Sequence, residues 1–181
     1  MKTIKVVAVF AFSFAMTACS SKAPVPVAVV AKPWAEPRVE HLTKVAESQG
    51  YEIEREGEQI RLIIPVDGNF HPKRTLLLPS GLVPLSKIAQ AIRDDEETFF
   101  SVIGHSDSAG AEELNEDQSL ERAQAVANVL MLGGVSRKRL QLSSMGEEEP
   151  RADNSTETGR HKNRRVEIVM TPALTSMAMA E

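Results

Sequence analysis

The sequence predicts an α+β fold, a two-layer sandwich in which a mixed β-sheet carries helices on one face. Three observations point there. Stretches of alternating apolar and polar residues are interleaved with stretches at helical spacing. The first two strand-like stretches flank a tight Glu56-Gly57-Glu58 turn, the pattern of a β-hairpin. The later strands alternate with whole helices, so one sheet can hold both kinds of pairing.

Taken in order, Arg38 to Gln49 places Val39, Leu42 and Val45-Ala46 at helical spacing, and Gly50 ends it. Tyr51 and Ile53 alternate with charges, and beyond the turn Ile60, Leu62 and Ile64 alternate again. From Pro79 to Arg93 the spacing is helical, with Leu82, Leu85, Ile88, Ala89 and Ile92 expected on one face. Phe99 to Ile103 reads as a short buried strand ending at Gly104. A long helix is expected over Glu112 to Leu132, stopped by Gly133-Gly134. Leu140 to Met145 and the Val166, Ile168, Met170 alternation supply the last two strands. No internal repeat is visible.

Composition narrows the function. Apolar residues make up 42% of the chain and charged residues 25%, an ordinary globular balance, while only 4% are aromatic. The core must therefore be built from Leu, Ile, Val and Ala. A formal charge of −4 without a basic stripe speaks against nucleic acid as a partner. The chain opens with Lys2 and Lys5, then an apolar run from Val6 to Met16. That run is too short for a bilayer span, which needs roughly 20 residues, and reads as an export signal over residues 1–18. Cys19, the one cysteine, follows Met16-Thr17-Ala18 directly and cannot form an internal disulfide. Residues 19–37 contain Pro24, Pro26, Pro33 and Pro37, which deny them a helix or a regular ladder. They read as an extended tether reaching on the order of 50 Å. Trp34 lies inside it with no function attached. The domain is expected over residues 38–171, with a loose tail at 172–181.

The chemistry concentrates where the central strand ends. Gly104 and Gly110 bracket His105-Ser106-Asp107-Ser108-Ala109, so Asp107 sits in a shaped loop rather than on a solvated face. In the following helix Asn115, Ser119 and Arg122 fall within roughly 60° of one another, forming a polar stripe. A loop carboxylate and a helix guanidinium facing one small volume suit a ligand with an ammonium and a carboxylate. The same spacing fits a structural ion pair between Asp107 and Arg122, and spacing alone leaves both readings open. The four histidines lack metal spacing, so neither a metal nor another cofactor is expected. His105 is expected to shape its loop through hydrogen bonds. Paired acids flanking a bond, a metal set or an activated Ser or Cys are not visible, so an enzyme is not expected.

Gly104-His105-Ser106-Asp107, Asn115, Ser119-x-x-Arg122-Ala123, Gly146-Glu147-x-x-Pro150, Asn154 and Gly159-Arg160-x-x-Asn163-Arg164-Arg165-Val166-Glu167 together resemble the OmpA C-terminal-like domain. This is the peptidoglycan-binding family of OmpA, peptidoglycan-associated lipoproteins and flagellar stator proteins, and the likeness runs from about Tyr51 to Met170. The resemblance implies a βαβαβ-type sandwich. It implies that Asp107 binds the amine of meso-diaminopimelate, that Arg122 takes its carboxylate, and that Asn115 and Arg164 support the ligand. Asn163, Arg160 and Glu167 would serve the fold. Two departures stand out: Phe70 is followed by His71-Pro72-Lys73-Arg74, an unusual rim, and Gln118 stands where the family prefers Leu.

The segment before Cys19 resembles a lipobox, which implies an acylated first residue, and Ser20 beside it resembles an outer-membrane destination. The expectation is a wall-binding lipoprotein of the outer membrane, facing the periplasm. Its partners would be peptidoglycan and the membrane that holds its lipid anchor, with other envelope proteins left open. The alternative is a stator or secretion-system component that uses the same domain. That would need a full transmembrane helix, usually with an acidic residue, and the apolar run is short and carries none.

Overall fold

The structure, a computed structural model, describes residues 33–173. The export signal at 1–18, Cys19, the tether up to Lys32 and the tail beyond Ala173 lie outside the described residues. Among the described residues no helix is long and apolar enough to cross a membrane.

Among the described residues five strands form one sheet: β1 (Glu52–Glu56), β2 (Gln59–Pro65), β3 (Thr98–His105), β4 (Leu140–Ser144) and β5 (Arg165–Pro172). Their order is β1-β2-β5-β3-β4. The hairpin partners β1 and β2 are antiparallel, and β5 runs antiparallel to both β2 and β3. Only β3 and β4 are parallel, which requires a crossover. That crossover is α3 (Glu112–Leu132). The other helices are α1 (Ala35–Ser48), α2 (Pro79–Ile92) and the short α4 (Glu157–Asn163). The implied βαβαβ run is β2-α2-β3-α3-β4. α1 and β1 precede it, and α4 leads into β5 at the sheet's centre.

Period-two alternation decides what faces the helices. Ile60, Leu62 and Ile64 of β2 pair in register with Met170, Ile168 and Val166 of β5, and all six are buried. Phe100 and Val102 of β3 continue the row. Leu85, Ile88 and Ile92 of α2 and Ala123, Val126 and Leu130 of α3 close over them. Gly104 ends the β3 row for a steric reason: a Cβ there would lie 1.9 Å from the Ser119 carbonyl oxygen. Its absence lets α3 lie directly on the strand end, which places Ser119 and Arg122 beside the loop that follows.

Three expectations need correction. α1 begins at Ala35, so Ala35-Glu36-Pro37, read as tether, form its first turn. Pro37 does not oppose this, because the first turn of a helix has no intrahelical use for its N–H. Trp34 is buried against the core, Arg38 stacks on its ring at 4.8 Å, and Glu58 Oε2 accepts from the Trp34 and Ala35 amides at 2.7 and 2.8 Å. Leu82 is exposed rather than on the buried face of α2, because that face centres on Gly81, Leu85 and Ile88. Finally, α4 was not expected: seven residues are too few to show a helical period. Thr156 caps it by accepting from the Gly159 amide at 3.0 Å.

Candidate functional site

The loop after β3 is fastened from several sides. The Ser106 amide donates to the Gly146 carbonyl at 2.6 Å, and the Ala109 amide to Asp107 Oδ1 at 3.1 Å. Gly110 completes the bend at φ +104°, a conformation side chains rarely allow. Asn115 Nδ2 reaches back from α3 to the Asp107 carbonyl at 3.1 Å and to Glu147 Oε2 at 2.7 Å. Asn154 accepts from the Ser108 amide and is itself held by Asn163. Asp107 is thereby fixed and buried at 6% exposure.

The ion pair that spacing suggested between Asp107 and Arg122 is not formed. Asp107 Oδ2 instead meets Nη1 of Arg164, the residue that joins α4 to β5. Arg164 also donates to Asp67 from Nε at 3.2–3.3 Å and from Nη2 at 2.7 Å. Those Asp67 bonds first, then the bond to Asp107, hold Arg164 above the ordinary arginine range against the opposing effect of burial. Glu157 Oε1 lies 3.4 Å from Arg164 Nη2, and His161 contacts both Asp67 and Glu157.

Arg122 is different. Its one side-chain bond is a 3.3 Å contact from Nη2 to Gln118, while Nε and Nη1 are buried with no partner. Burial pulls this guanidinium below the ordinary arginine range, and the negative charges of Asp107 and Asp67 act in the opposite sense. A buried, charged donor without an acceptor is costly and rare in a settled structure. Asp67, Asp107, Arg122 and Arg164 together sum to zero charge, with one guanidinium uncommitted. Such a cluster can receive a carboxylate on Arg122 and a cation on the acidic side.

Of the expected site residues, Asp107, Arg122 and Arg164 share this cluster. Asn115 stands behind it, engaged with the loop backbone and Glu147. Ser119, the middle of the polar stripe, faces Ser144 and the Glu116 carbonyl and so ties α3 to β4. Sequence reasoning missed Asp67, Glu157 and His161. Asp67 lies 97 residues from Arg164, and its only local signal is an acid directly before Gly68. Cys19 lies outside the described residues.

A second ionic cluster is buried beneath the sheet's other face. Glu167 is fully buried and accepts from Arg165 Nε and Arg61 Nη1, each at 2.6 Å, with Arg151 at 3.6 Å. His105 lies 3.9 Å from Glu167, and neither ring nitrogen has a hydrogen-bond partner. The expectation that His105 shapes its loop by hydrogen bonding is therefore corrected. Burial, then the charge of Arg165, pushes its pKa down to about 4 and keeps it neutral. Among the described residues no group of three His, Cys, Asp or Glu is placed to hold a metal ion.

The chain is 36% identical over 123 residues to the Probable lipoprotein YiaD of Escherichia coli (strain K12), across 68% of this chain and 56% of that protein. It is 32% identical over 126 residues to the Outer-membrane lipoprotein YfiB of Pseudomonas aeruginosa, across 70% and 74%. The match therefore spans little more than half of YiaD's length. Among solved structures, the cell wall anchor of the T6SS from Pseudomonas aeruginosa aligns with a TM-score of 0.65 at 28% identity, covering 74% of this chain and 96% of that one. The model of the OmpA family matches residues 69–164, more than half of the chain and a stretch that ends on Arg164 in the ionic cluster. The chain belongs to the OmpA family.

Proposed function

We propose that this chain is a non-catalytic lipoprotein that binds the diaminopimelate of peptidoglycan and ties the outer membrane to the wall. The observation that carries the reading is Arg122: a buried guanidinium, two of its nitrogens unpartnered, beside a fixed Asp107. Arg122 receives the ligand carboxylate and Asp107 its ammonium, while Asn115 and Arg164 hold Asp107 in place. The cell wall anchor of the T6SS, similar over most of its own length, supports wall binding, and relatives named as lipoproteins support a lipid anchor at Cys19. The test is co-sedimentation with purified sacculi. Wild type is expected to pellet with them, and Asp107→Ala and Arg122→Ala variants to stay in solution. Equal pelleting of all three would refute the site.

The T6SS likeness also favours a second reading, a component of an envelope machine using the same wall contact. Radiolabelled palmitate separates the two. Incorporation that disappears in Cys19→Ser supports the lipoprotein, and no incorporation in wild type supports the machine component.

A further inference from the structure

We propose that Asp67 is a positioning residue that makes the site select a whole amino-acid head group, amine included, rather than a carboxylate alone. The inference rests on the reading of the site as a receptor for the wall's zwitterionic amino acid. Asp67 lies two residues ahead of the stretch matched by the family model, in the turn after β2.

Asp67 takes two nitrogens of Arg164, Nε and Nη2, and leaves Nη1 to meet Asp107. Arg164 therefore has no free edge for a ligand carboxylate. Its positive charge is already balanced by Asp67, so the charge of Asp107 remains available to an incoming cation. With a zwitterion bound, three cations face three anions one to one: Arg164 with Asp67, Arg122 with the ligand carboxylate, and the ligand ammonium with Asp107. Without the Asp67 charge, Arg164 would claim Asp107 for itself and the ammonium would lose its partner. Arg122 would keep its two unpartnered nitrogens for a carboxylate while losing the attraction of Asp67. Loss of Asp67 thus removes discrimination for the amine and spares recognition of the carboxylate. His161 and Glu157 are the remaining charged or titratable groups against Asp67 and Arg164. Their side chains are 50% and 62% exposed.

The experiment is a calorimetric titration of the full chain in detergent with two ligands: a diaminopimelate-containing muropeptide, and the same muropeptide acetylated on its free amine. A charged hydrogen bond is worth enough that wild type should prefer the free amine by about 10-fold or more. In Asp67→Asn the preference should shrink to about 3-fold or less, with affinity for the acetylated ligand retained or raised. Asp67→Glu should recover part of the preference. A merely structural role would lower both affinities together and leave their ratio intact, so an unchanged ratio in Asp67→Asn overturns the proposal. If wild type binds neither ligand, the peptidoglycan reading fails and this inference falls with it. If wild type discriminates and Asp67→Asn discriminates equally, only the role of Asp67 fails.

Discussion

Replacing Arg122 with methionine should make the protein more stable and abolish its binding. In the free protein Nε and Nη1 are buried without acceptors, and each unsatisfied donor costs about 1–3 kcal/mol. Against this stand a long contact to Gln118 and the attraction of Asp107 and Asp67, both already paired with Arg164. Methionine keeps the unbranched stem and removes the charge. The difference should favour Arg122→Met by about 1–2 kcal/mol, because exchanging an imperfectly compensated buried charge for an apolar side chain is often stabilising. For a domain of this size that corresponds to a rise in Tm of roughly 3–8 °C. Thermal unfolding at pH 7 reads the first half of the prediction and sacculus co-sedimentation the second. A variant less stable than wild type by more than about 1 kcal/mol would refute the reasoning, since it would make Arg122 a structural residue. So would a stabilised variant that still binds.

Three further outcomes follow from the geometry. The His105 pKa is depressed to about 4 by burial, so as pH falls from 6.5 the unfolded chain takes up a proton that the folded chain refuses. By pH 4.5 this should remove about 2–3 kcal/mol of stability, and denaturant midpoints at pH 7 and 4.5 should show that loss in wild type but not in His105→Leu. Gly104→Ala would place a Cβ 1.9 Å from the Ser119 carbonyl oxygen; because backbone must move, a loss of about 3 kcal/mol or more is expected in urea unfolding, together with weaker binding as α3 lifts. Arg38→Ala breaks the pairs with Asp95 and Glu97 and the stacking on Trp34; about 2 kcal/mol should be lost, and limited proteolysis should cut within α1 while muropeptide affinity stays at the wild-type value.

The fold was legible wherever one face of an element is buried. Ile60, Leu62 and Ile64 alternate because β2 has one face on the helices, and the α3 stripe shows its period because one side lies on the sheet. Legibility failed where the determining contacts are distant in sequence. β5 carries Arg165 and Glu167 at buried positions, which a hydropathy reading assigns to solvent; their pairing with each other and the help of Arg61, Arg151 and the Glu149 carbonyl, remote along the chain, make that burial tolerable. Trp34 looked like part of a linker because its anchors, Glu58 and the Arg38–Asp95 pair, lie in other elements. The site divides the same way. Asp107 and Arg122 stand out by local motif, while Asp67 and the choice of Arg164 over Arg122 as partner for Asp107 emerge only in three dimensions.

The placement of the two ends gives the proposed role a mechanical logic. At the start of the described residues the Trp34 amide is held by Glu58 in the hairpin turn, and at their end the Ala173 amide donates to the Glu97 carbonyl. Asp67 and Arg164 lie at the opposite end of β2, where the Val66 amide meets the Arg164 carbonyl. The seven residues of β2 separate these poles by roughly 20 Å at the usual rise per strand residue. A protein anchored through its N-terminus and holding the wall at Asp107 and Arg122 is therefore pulled along its strands. In the antiparallel pairs the ladder bonds lie perpendicular to the strands, so such a pull loads them together rather than one at a time. α1 is attached by Glu58 on the Trp34 and Ala35 amides, by Arg38 on Asp95 and Glu97, and by Ala35, Leu42 and Ala46 in the core. In the proposed role, the burial of Trp34 would fix the chain to the sheet before α1 begins, so that tension could reach the site without peeling the helix away.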